Sequence, residues 1–171
     1  MIHVARGNVR SASFYFLFWG WLGVVGTLGQ FLLETQAGYK YPYIIWLISI
    51  PGVIITFWYT YKKAKKSRVR TYSDGLIMNT WIGFMGCVII VIIGGKYFNY
   101  QITALIMLFT GFATFISGLV INFRPLYLAS ILFWILTPVA LYVGTTYSPL
   151  VMTIAIVAGY LLPAYILRSQ K

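Results

Sequence analysis

One uncharged stretch decides the fold: residues 76–94 read LIMNTWIGFMGCVIIVIIG. A helix that crosses the hydrocarbon core of a bilayer needs about 20 consecutive residues, most of them apolar, and this stretch meets that requirement. Its run of valine and isoleucine does not alternate with polar residues, so it does not fit a strand of a membrane barrel. In lipid the backbone must satisfy its own hydrogen bonds, which outweighs the strand preference of β-branched residues. The stretch is therefore predicted to be a membrane-spanning helix.

Five further stretches share this length and apolar character. Across the whole chain 60% of the residues are hydrophobic and 9% are charged, which excludes a domain that folds in water. The first stretch is too long and too aromatic for a cleaved signal peptide, so we count it as a span. The sequence predicts an all-α polytopic membrane protein, a bundle of six transmembrane helices that forms a single transmembrane domain over residues 1–171. The other five predicted spans are 11–33, 43–61, 103–123, 126–143 and 150–167.

The basic residues lie mainly on one side of the predicted helices. With the N-terminus in the cytoplasm, the outer side carries only Lys40 and Lys96. An excess of lysine and arginine in short inner loops sets the orientation of membrane proteins, so both termini are predicted to be cytoplasmic. The net charge of +11 is then a topology signal, and we expect no nucleic-acid partner. The inner basic residues are Arg6, Arg10, Lys62, Lys63, Lys65, Lys66, Arg68, Arg70, Arg124, Arg168 and Lys171.

Three segments of the sequence carry a resemblance. They are FWGWL at residues 18–22, SGLVINFRPL at residues 117–126 and GYLLPAYILR at residues 159–168. Together they resemble a family of small six-span bacterial inner-membrane proteins. The resemblance implies a location in the bacterial cytoplasmic membrane, and it implies no particular chemistry.

Glycine recurs at every third position of the first span. Each step of three turns the position by about 60° around a helix, so all four glycines cannot face one neighbour, although two or three can. Small residues let helix backbones approach closely in lipid, so we expect the first span to pack inside the bundle through this glycine face. A substrate path lined by backbone is the alternative. The four residues are Gly20, Gly23, Gly26 and Gly29, and similar faces are offered by Gly83 and Gly86 in the third span and by Gly111, Thr114 and Gly118 in the fourth.

Three polar side chains in or beside the spans are candidate functional positions. Asn79 lies in the inner third of the third span, and its amide has four hydrogen-bonding positions, so we expect it to face the bundle. A bond to another helix is its simplest role, and contact with a ligand is the alternative. Gln30 and Glu34 lie one helical turn apart near the outer boundary and share a face. They could begin an entry site for a cation or a proton, but a solvated Glu34, or one paired with Lys40, is the simpler interpretation.

The residue types that catalysis needs are scarce. The chain has one histidine and two acidic residues, and the histidine, His3, lies in the N-terminal tail. The one cysteine, Cys87, lies within a span, where apolar burial keeps a thiol unreactive. The sequence contains no metal-binding cluster, nucleophile motif or phosphate-binding loop. We therefore expect no enzymatic activity, no catalytic or metal site and no cofactor.

Three classes of function remain open. The first is a non-enzymatic accessory, assembly or sensory module that acts through helix contacts and its basic inner loop. The second is a small transporter or channel for a neutral or small solute, formed by several copies of the chain. The third is an intramembrane enzyme. Charged residues inside a membrane usually mark ion pathways or proton relays, and their scarcity here favours the first class.

The most basic segment follows the second predicted span on its inner side. Anionic lipid attracts such a segment by about 1 kcal/mol for each lysine or arginine near the surface. The segment either sets the topology alone or also docks on anionic lipid or on an acidic cytoplasmic partner. Another membrane protein and a second copy of the chain are further expected partners. The six basic residues of the segment are Lys62, Lys63, Lys65, Lys66, Arg68 and Arg70.

Cysteine labelling tests the predicted orientation. A cysteine placed at Thr146 or Asn99 should react with a membrane-impermeant reagent added from outside, because both positions fall in predicted outer loops. A cysteine placed at Ser67, in the predicted inner loop, should be spared. The reverse labelling pattern would contradict the orientation.

Overall fold

A computed structural model describes residues 2–66 and 72–169, without the side chains of residues 2–12, 63, 64, 66 and 167. Over these residues the backbone forms helices and turns and no strand. Six of its helices are long and apolar enough to cross a membrane. The prediction of an all-α bundle of six helices is confirmed, and the chain is a multi-pass helical membrane protein.

The six spanning helices are named α1 to α6 in chain order. Four of them are continuous α-helices: α1 is Ile2–Thr35, α3 is Tyr72–Ile93, α4 is Ile102–Ile121 and α5 is Arg124–Val143. Helix α2 begins as a 3-10 helix over Pro42–Ile48 and continues as an α-helix over Ser49–Lys66. Helix α6 has three consecutive segments, which are the α-helix Ser148–Ile156, the π-helix Val157–Leu161 and the α-helix Leu162–Ser169.

Helix α6 lies in the middle of the bundle and contacts α1, α4 and α5. Helix α2 packs chiefly on α1, and α3 packs chiefly on α4, so α2 and α3 form the two edges. In the most apolar window of each helix, 50% of α6 is buried, compared with 6% of α2 and 6% of α3. The core therefore lies among α1, α4, α5 and α6, where Met107, Leu126 and Phe133 are fully buried.

The bundle has two ends of different composition. We call the end with the end of α2 and the start of α3 the basic end, because Lys62, Lys65, Arg124 and Arg168 lie there. At the opposite end, which we call the tyrosine end, the connections expose aromatic rings to the surroundings. The exposed tyrosines of this end are Tyr39, Tyr41, Tyr43, Tyr97, Tyr100, Tyr142 and Tyr147.

Only Asn122 and Phe123 connect α4 to α5. Asn122 adopts the left-handed conformation with φ 56°, and the amide of Phe123 donates back to the carbonyl of Gly118 at 2.9 Å. This geometry satisfies the last carbonyl groups of α4. Pro125 then occupies the first turn of α5, where its fixed φ suits a helix and its missing N–H has no partner to lose. The result is a tight antiparallel hairpin.

Proline also shapes α6. The ring of Pro163 collides with the carbonyl of the residue four positions earlier in a regular helix, and the missing N–H leaves that carbonyl without its donor. Just before the proline the helix widens into its π-helical segment, where the amide of Leu162 donates to the carbonyl of Val157. The wide turn fits because Gly159 has no side chain. A Cβ at that position would lie 2.9 Å from the carbonyl oxygen of Ala129 in α5.

Two glycines of α1 face α6. A Cβ at Gly20 would lie 2.5 Å from the side chain of Leu161, and a Cβ at Gly23 would lie 3.0 Å from that of Ile156. Such separations are closer than ordinary van der Waals contact, so any larger residue at these positions requires the side chains of Leu161 and Ile156 to shift. The predicted packing of α1 through its glycines is confirmed at this interface.

The other two glycines of α1 face α2. A Cβ at Gly26 would lie 3.1 Å from the ring of Trp46, and a Cβ at Gly29 would lie 2.8 Å from Ile45. The glycines at every third position thus pack against two neighbouring helices, because each step of three residues turns the position by about 60° around the helix. Helix α1 is therefore held from two sides, by the centre of the bundle and by one of its edges.

The glycines of α4 and α3 differ in their surroundings. A Cβ at Gly118 would lie 2.6 Å from the backbone nitrogen of Tyr127, so α4 and α5 touch closely. At Gly83 and Gly86 a Cβ would meet no described atom within 4 Å. The expectation that these two glycines offer a packing face inside the bundle is therefore wrong for the single chain. Both are exposed because α3 turns its opposite side to α4.

Replacing Gly26 by leucine tests the glycine packing. The added side chain has to push the ring of Trp46 away, and overpacking of this kind destabilises a protein by about 1–3 kcal/mol. We expect the melting temperature of Gly26→Leu in detergent to fall by several degrees. The control is Val25→Leu, because Val25 is the adjacent residue and is 52% exposed. Equal melting temperatures for the two variants would show that Gly26 is not a packing position.

Candidate functional site

Polar side chains join α1 to α2 near the basic end. The indole N–H of Trp19 donates to the hydroxyl of Thr56 at 3.1 Å, and the hydroxyls of Tyr15 and Thr60 lie 2.8 Å apart. Thr56 and Thr60 also donate to carbonyls of their own helix, at 2.9 Å and 2.7 Å. Each threonine hydrogen is thus used within α2, and each threonine oxygen remains free to accept a bond from α1.

Gln30 occupies the other end of the same interface. Its side chain is 4% exposed, and its Oε1 accepts a hydrogen bond of 2.8 Å from the indole N–H of Trp46. The ring of Trp46 also lies against Gly26, so one tryptophan supplies both packing and a hydrogen bond. The structure therefore places Gln30 between two helices of the chain, where it fixes the 3-10 segment of α2.

Glu34 bonds to a different part of the chain. Its Oε1 accepts a hydrogen bond of 2.9 Å from the hydroxyl of Thr146, in the connection between α5 and α6. The pairing of Glu34 with Lys40 considered above is not formed, because the ammonium of Lys40 instead lies 5.6 Å from the ring centre of Tyr41. Although Gln30 and Glu34 are one turn apart, they bond to separate elements and do not form one polar site.

Hydroxyl groups in the core serve mainly the helices that carry them. Thr27 of α1 and Thr153 of α6 are an exception, since their oxygens lie 2.7 Å apart and join the two helices. Both also reach a carbonyl of their own helix, at 2.9 Å in each case. The hydroxyl of Thr114 in α4 is fully buried and has no hydrogen-bond partner among the described residues. The bond between Thr27 and Thr153 therefore joins α1 to α6, whereas Thr114 contributes no hydrogen bond within the described chain.

Asn79 lies on the outward side of α3. Residues two positions apart in an α-helix are separated by about 200° around its axis, so Asn79 and Trp81 point in nearly opposite directions. Trp81 packs against the core, and this turns Asn79 away from it, so that Asn79 is exposed. The expectation that Asn79 faces the bundle is therefore wrong for the single chain. Asn79 also forms no hydrogen bond within the described residues.

Three glycines surround Asn79 on this side of α3. Gly75 precedes it by one turn, Gly83 follows it by one turn, and Gly86 lies almost directly above it. A Cβ at any of these glycines would meet no described atom within 4 Å. We call Gly75, Asn79, Gly83 and Gly86 the α3 outward face. Sequence reasoning did not connect Asn79 with Gly75, although their spacing of four was a usable signal.

The outward side of α2 has a different character. Its exposed residues are large and apolar, and Ile54 and Phe57 are 63% and 72% exposed. Large apolar side chains pack well with lipid tails, whereas the glycines and the amide of the α3 outward face offer lipid tails little apolar surface. Helix α3 also exposes large apolar residues such as Ile82 and Ile90, so the two edges of the bundle differ at the α3 outward face rather than over their whole length.

The basic end carries two lysines above aromatic rings. The ammonium of Lys62 lies 3.7 Å from the ring centre of Trp58, and that of Lys65 lies 5.3 Å from the ring centre of Tyr61. These four residues share one exposed side of α2. Other predicted positions of the basic segment lie outside the description: the side chains of Lys63 and Lys66, and the residues Arg68 and Arg70.

A cleft of about 350 Å³ lies between α3, α4 and α5. Its lining is almost wholly apolar, which matches a lipid tail better than a polar solute. In the part of the chain that the structure describes, no three His, Cys, Asp or Glu side chains come close enough to hold a metal ion. The lining residues are Cys87, Leu108, Phe109, Phe112 and Trp134.

Comparison with protein-family models, curated proteins and solved structures finds no match to this chain. Its function has to be inferred from its own residues and their contacts.

Substituting Trp46 by phenylalanine tests the role of Gln30. The variant keeps an aromatic ring but removes the N–H, so the buried amide oxygen of Gln30 loses its partner, and this costs about 1–3 kcal/mol. We expect Trp46→Phe to lower the free energy of unfolding by that amount. The control is Trp21→Phe, which removes the 3.0 Å bond to Tyr165 at an exposed position. If both variants lose the same stability, the burial of Gln30 has no special importance.

Proposed function

We propose that the protein is a non-enzymatic membrane module, an accessory, assembly or sensory subunit that acts through its helix contacts and its basic segment. In this proposal it lies in a bacterial cytoplasmic membrane with both termini in the cytoplasm. The excess of lysine and arginine at one end of the bundle supports this orientation. The basic end then lies at the inner surface of the membrane.

The observation that carries the proposal is the arrangement of Trp58, Tyr61, Lys62 and Lys65. These residues recur at intervals of three and four, so they fall on one side of a helix. Each lysine follows its ring by four residues towards the end of α2, and its ammonium group lies over that ring. Aromatic side chains prefer the boundary between lipid tails and headgroups, while lysines extend their charge towards the headgroups.

This arrangement gives the basic end a defined chemical preference. In the proposed orientation the positive charges lie near the lipid headgroups, on a side of α2 that is exposed among the described residues. Anionic headgroups, or an acidic surface of a protein held at the membrane, are the groups that such charges attract. A module of this type binds its partners at the inner surface while its six helices anchor it.

A small transporter or channel formed by several copies is the alternative function. It requires a path for a solute, and the described cleft between α3, α4 and α5 has the apolar walls of a lipid-facing groove. Apart from that of Thr114, the buried hydroxyls described above form contacts within and between helices of one chain. Neither the cleft nor these hydroxyls supply a polar path for a solute, whereas the lysines at the basic end suit binding at the membrane surface. This contrast favours the membrane module.

Capture by lipid vesicles tests the proposal. The full chain is placed in nanodiscs of zwitterionic lipid and mixed with vesicles that contain phosphatidylglycerol. Replacing Lys63, Lys65, Lys66 and Arg68 together by glutamine removes about 1 kcal/mol of attraction per charge. We expect capture by the vesicles to fall at least tenfold at low salt. The difference should shrink at high salt, where charges are screened.

The control for this experiment is the double variant Lys40→Gln/Lys96→Gln. Both lysines lie at the tyrosine end, and both ends of the protein are accessible in a nanodisc. A small effect of the control beside a large effect of the quadruple variant supports the proposal. Equal capture of the quadruple variant and the unmodified chain would contradict it. A small solute that co-purifies with the chain in stoichiometric amount would support the transporter instead.

A further inference from the structure

The α3 outward face has a composition that lipid alone does not explain. Asn79 lies seven residues into α3, which places it about 10 Å along the helix from Tyr72 and within the spanning segment. Its amide carries two donors and one acceptor oxygen. Hydrocarbon offers no partner for any of these, and Asn79 has no partner in the described chain.

The glycines beside Asn79 allow another helix to approach closely. Gly75, Gly83 and Gly86 leave the backbone of α3 bare over about three turns around the amide. Small residues at intervals of four are the usual means by which two membrane helices come into backbone contact. A side chain that needs a hydrogen bond thus lies in the middle of a surface that a helix can reach.

We propose that the α3 outward face binds the α3 outward face of a second copy of this chain. Two copies related by a two-fold axis along the membrane normal run in the same direction, so each residue on the axis meets its own counterpart at the same depth. Asn79 then meets Asn79. An amide both donates and accepts, so each of two identical amides can donate one N–H to the oxygen of the other.

A partner of different sequence fits these observations less well. It has to supply a small-residue face together with a polar group at the depth of Asn79, whereas the second copy supplies both by symmetry. The position of α3 also suits self-association. Helix α3 forms one edge of the bundle and is 6% buried in its most apolar window, so two copies can pair there without rearrangement.

The other edge of the bundle provides an internal comparison. The outward side of α2 is as little buried as that of α3. It presents large side chains such as Ile54 and Phe57, which keep a second helix at a distance and pack well with lipid tails. The proposed dimer therefore uses α3 and leaves α2 in contact with lipid. This inference does not depend on lipid binding by the basic segment.

Oxidative crosslinking in the native membrane locates the interface without altering its key residues. Two variants are prepared in a Cys87→Ser background and crosslinked in separate membranes. One carries Ile82→Cys and the other carries Ile54→Cys. The two isoleucines are 61% and 63% exposed, on α3 and α2 respectively. Ile82 lies between Asn79 and Gly86 along α3, so its cysteine should form disulfide-linked dimers. The cysteine at Ile54 should not.

Variants of Asn79 then test the hydrogen bond. Two differently tagged copies are expressed together and extracted gently, and the amount of one recovered with the other is measured. Asn79→Leu, which removes the amide at similar size, should lower recovery by about tenfold. Thr80→Val is the control, because the Thr80 hydroxyl already donates to the carbonyl of Leu76 at 2.9 Å. Recovery of the control should be unchanged.

Three outcomes would overturn the inference. They are equal crosslinking at the two cysteines, unchanged recovery of Asn79→Leu, and crosslinking of Ile82→Cys solely to a protein of different sequence. In the last case the helix contacts of the proposed membrane module would stand, and only the identity of the partner would be wrong. Failure of vesicle capture, by contrast, would contradict the module and leave the α3 dimer intact.

Discussion

Hydrocarbon has no hydrogen-bonding groups, and the contacts of this chain follow from that constraint. It requires helices, because only a helix satisfies the backbone of a single span internally. It also determines where hydroxyls go, since Ser117 and Thr137 each donate to a carbonyl four residues earlier. A side-chain amide has more donors and acceptors than a hydroxyl, and carbonyls of its own helix cannot bond to all of them. Gln30 needs the indole of Trp46, and that need sets the position of α2 against α1.

Close packing supplies the remaining cohesion. Lipid tails are as apolar as leucine, so helices in a membrane gain little from burying apolar surface and depend on contact between fitted surfaces. Helix α1 shows how a simple sequence repeat meets this demand. Its glycines at intervals of three face two directions, so this one helix packs against Leu161 of α6 on one side and against Trp46 of α2 on another. The central and peripheral parts of the bundle are joined through this one helix.

The sequence was sufficient to predict six helices but not their rotation. Apolar length and the lack of charge identified the spans, because those properties are what the bilayer demands. The direction of Asn79 was predicted wrongly for a physical reason. In water the polar side of a helix faces outward, and in lipid both sides are apolar, so the pattern of α3 does not show which side meets α4. The bonds of Gln30 and Glu34 depend on residues 16 and 112 positions away, which no local pattern reveals.

The π-helical segment of α6 lets this helix lose one residue without a change of register. A wide turn of this kind accommodates one residue more than a regular helix of equal rise. Removing one residue from Val157–Leu161 would therefore convert the segment into a regular helix and leave Leu162–Ser169 in place. Ala164, which is 1% exposed, would stay in the core, and Tyr165 would keep its bond to Trp21. A deletion beyond the wide turn, within Leu162–Ser169, has no extra residue to remove and would rotate the residues that follow it by about 100° about the helix axis.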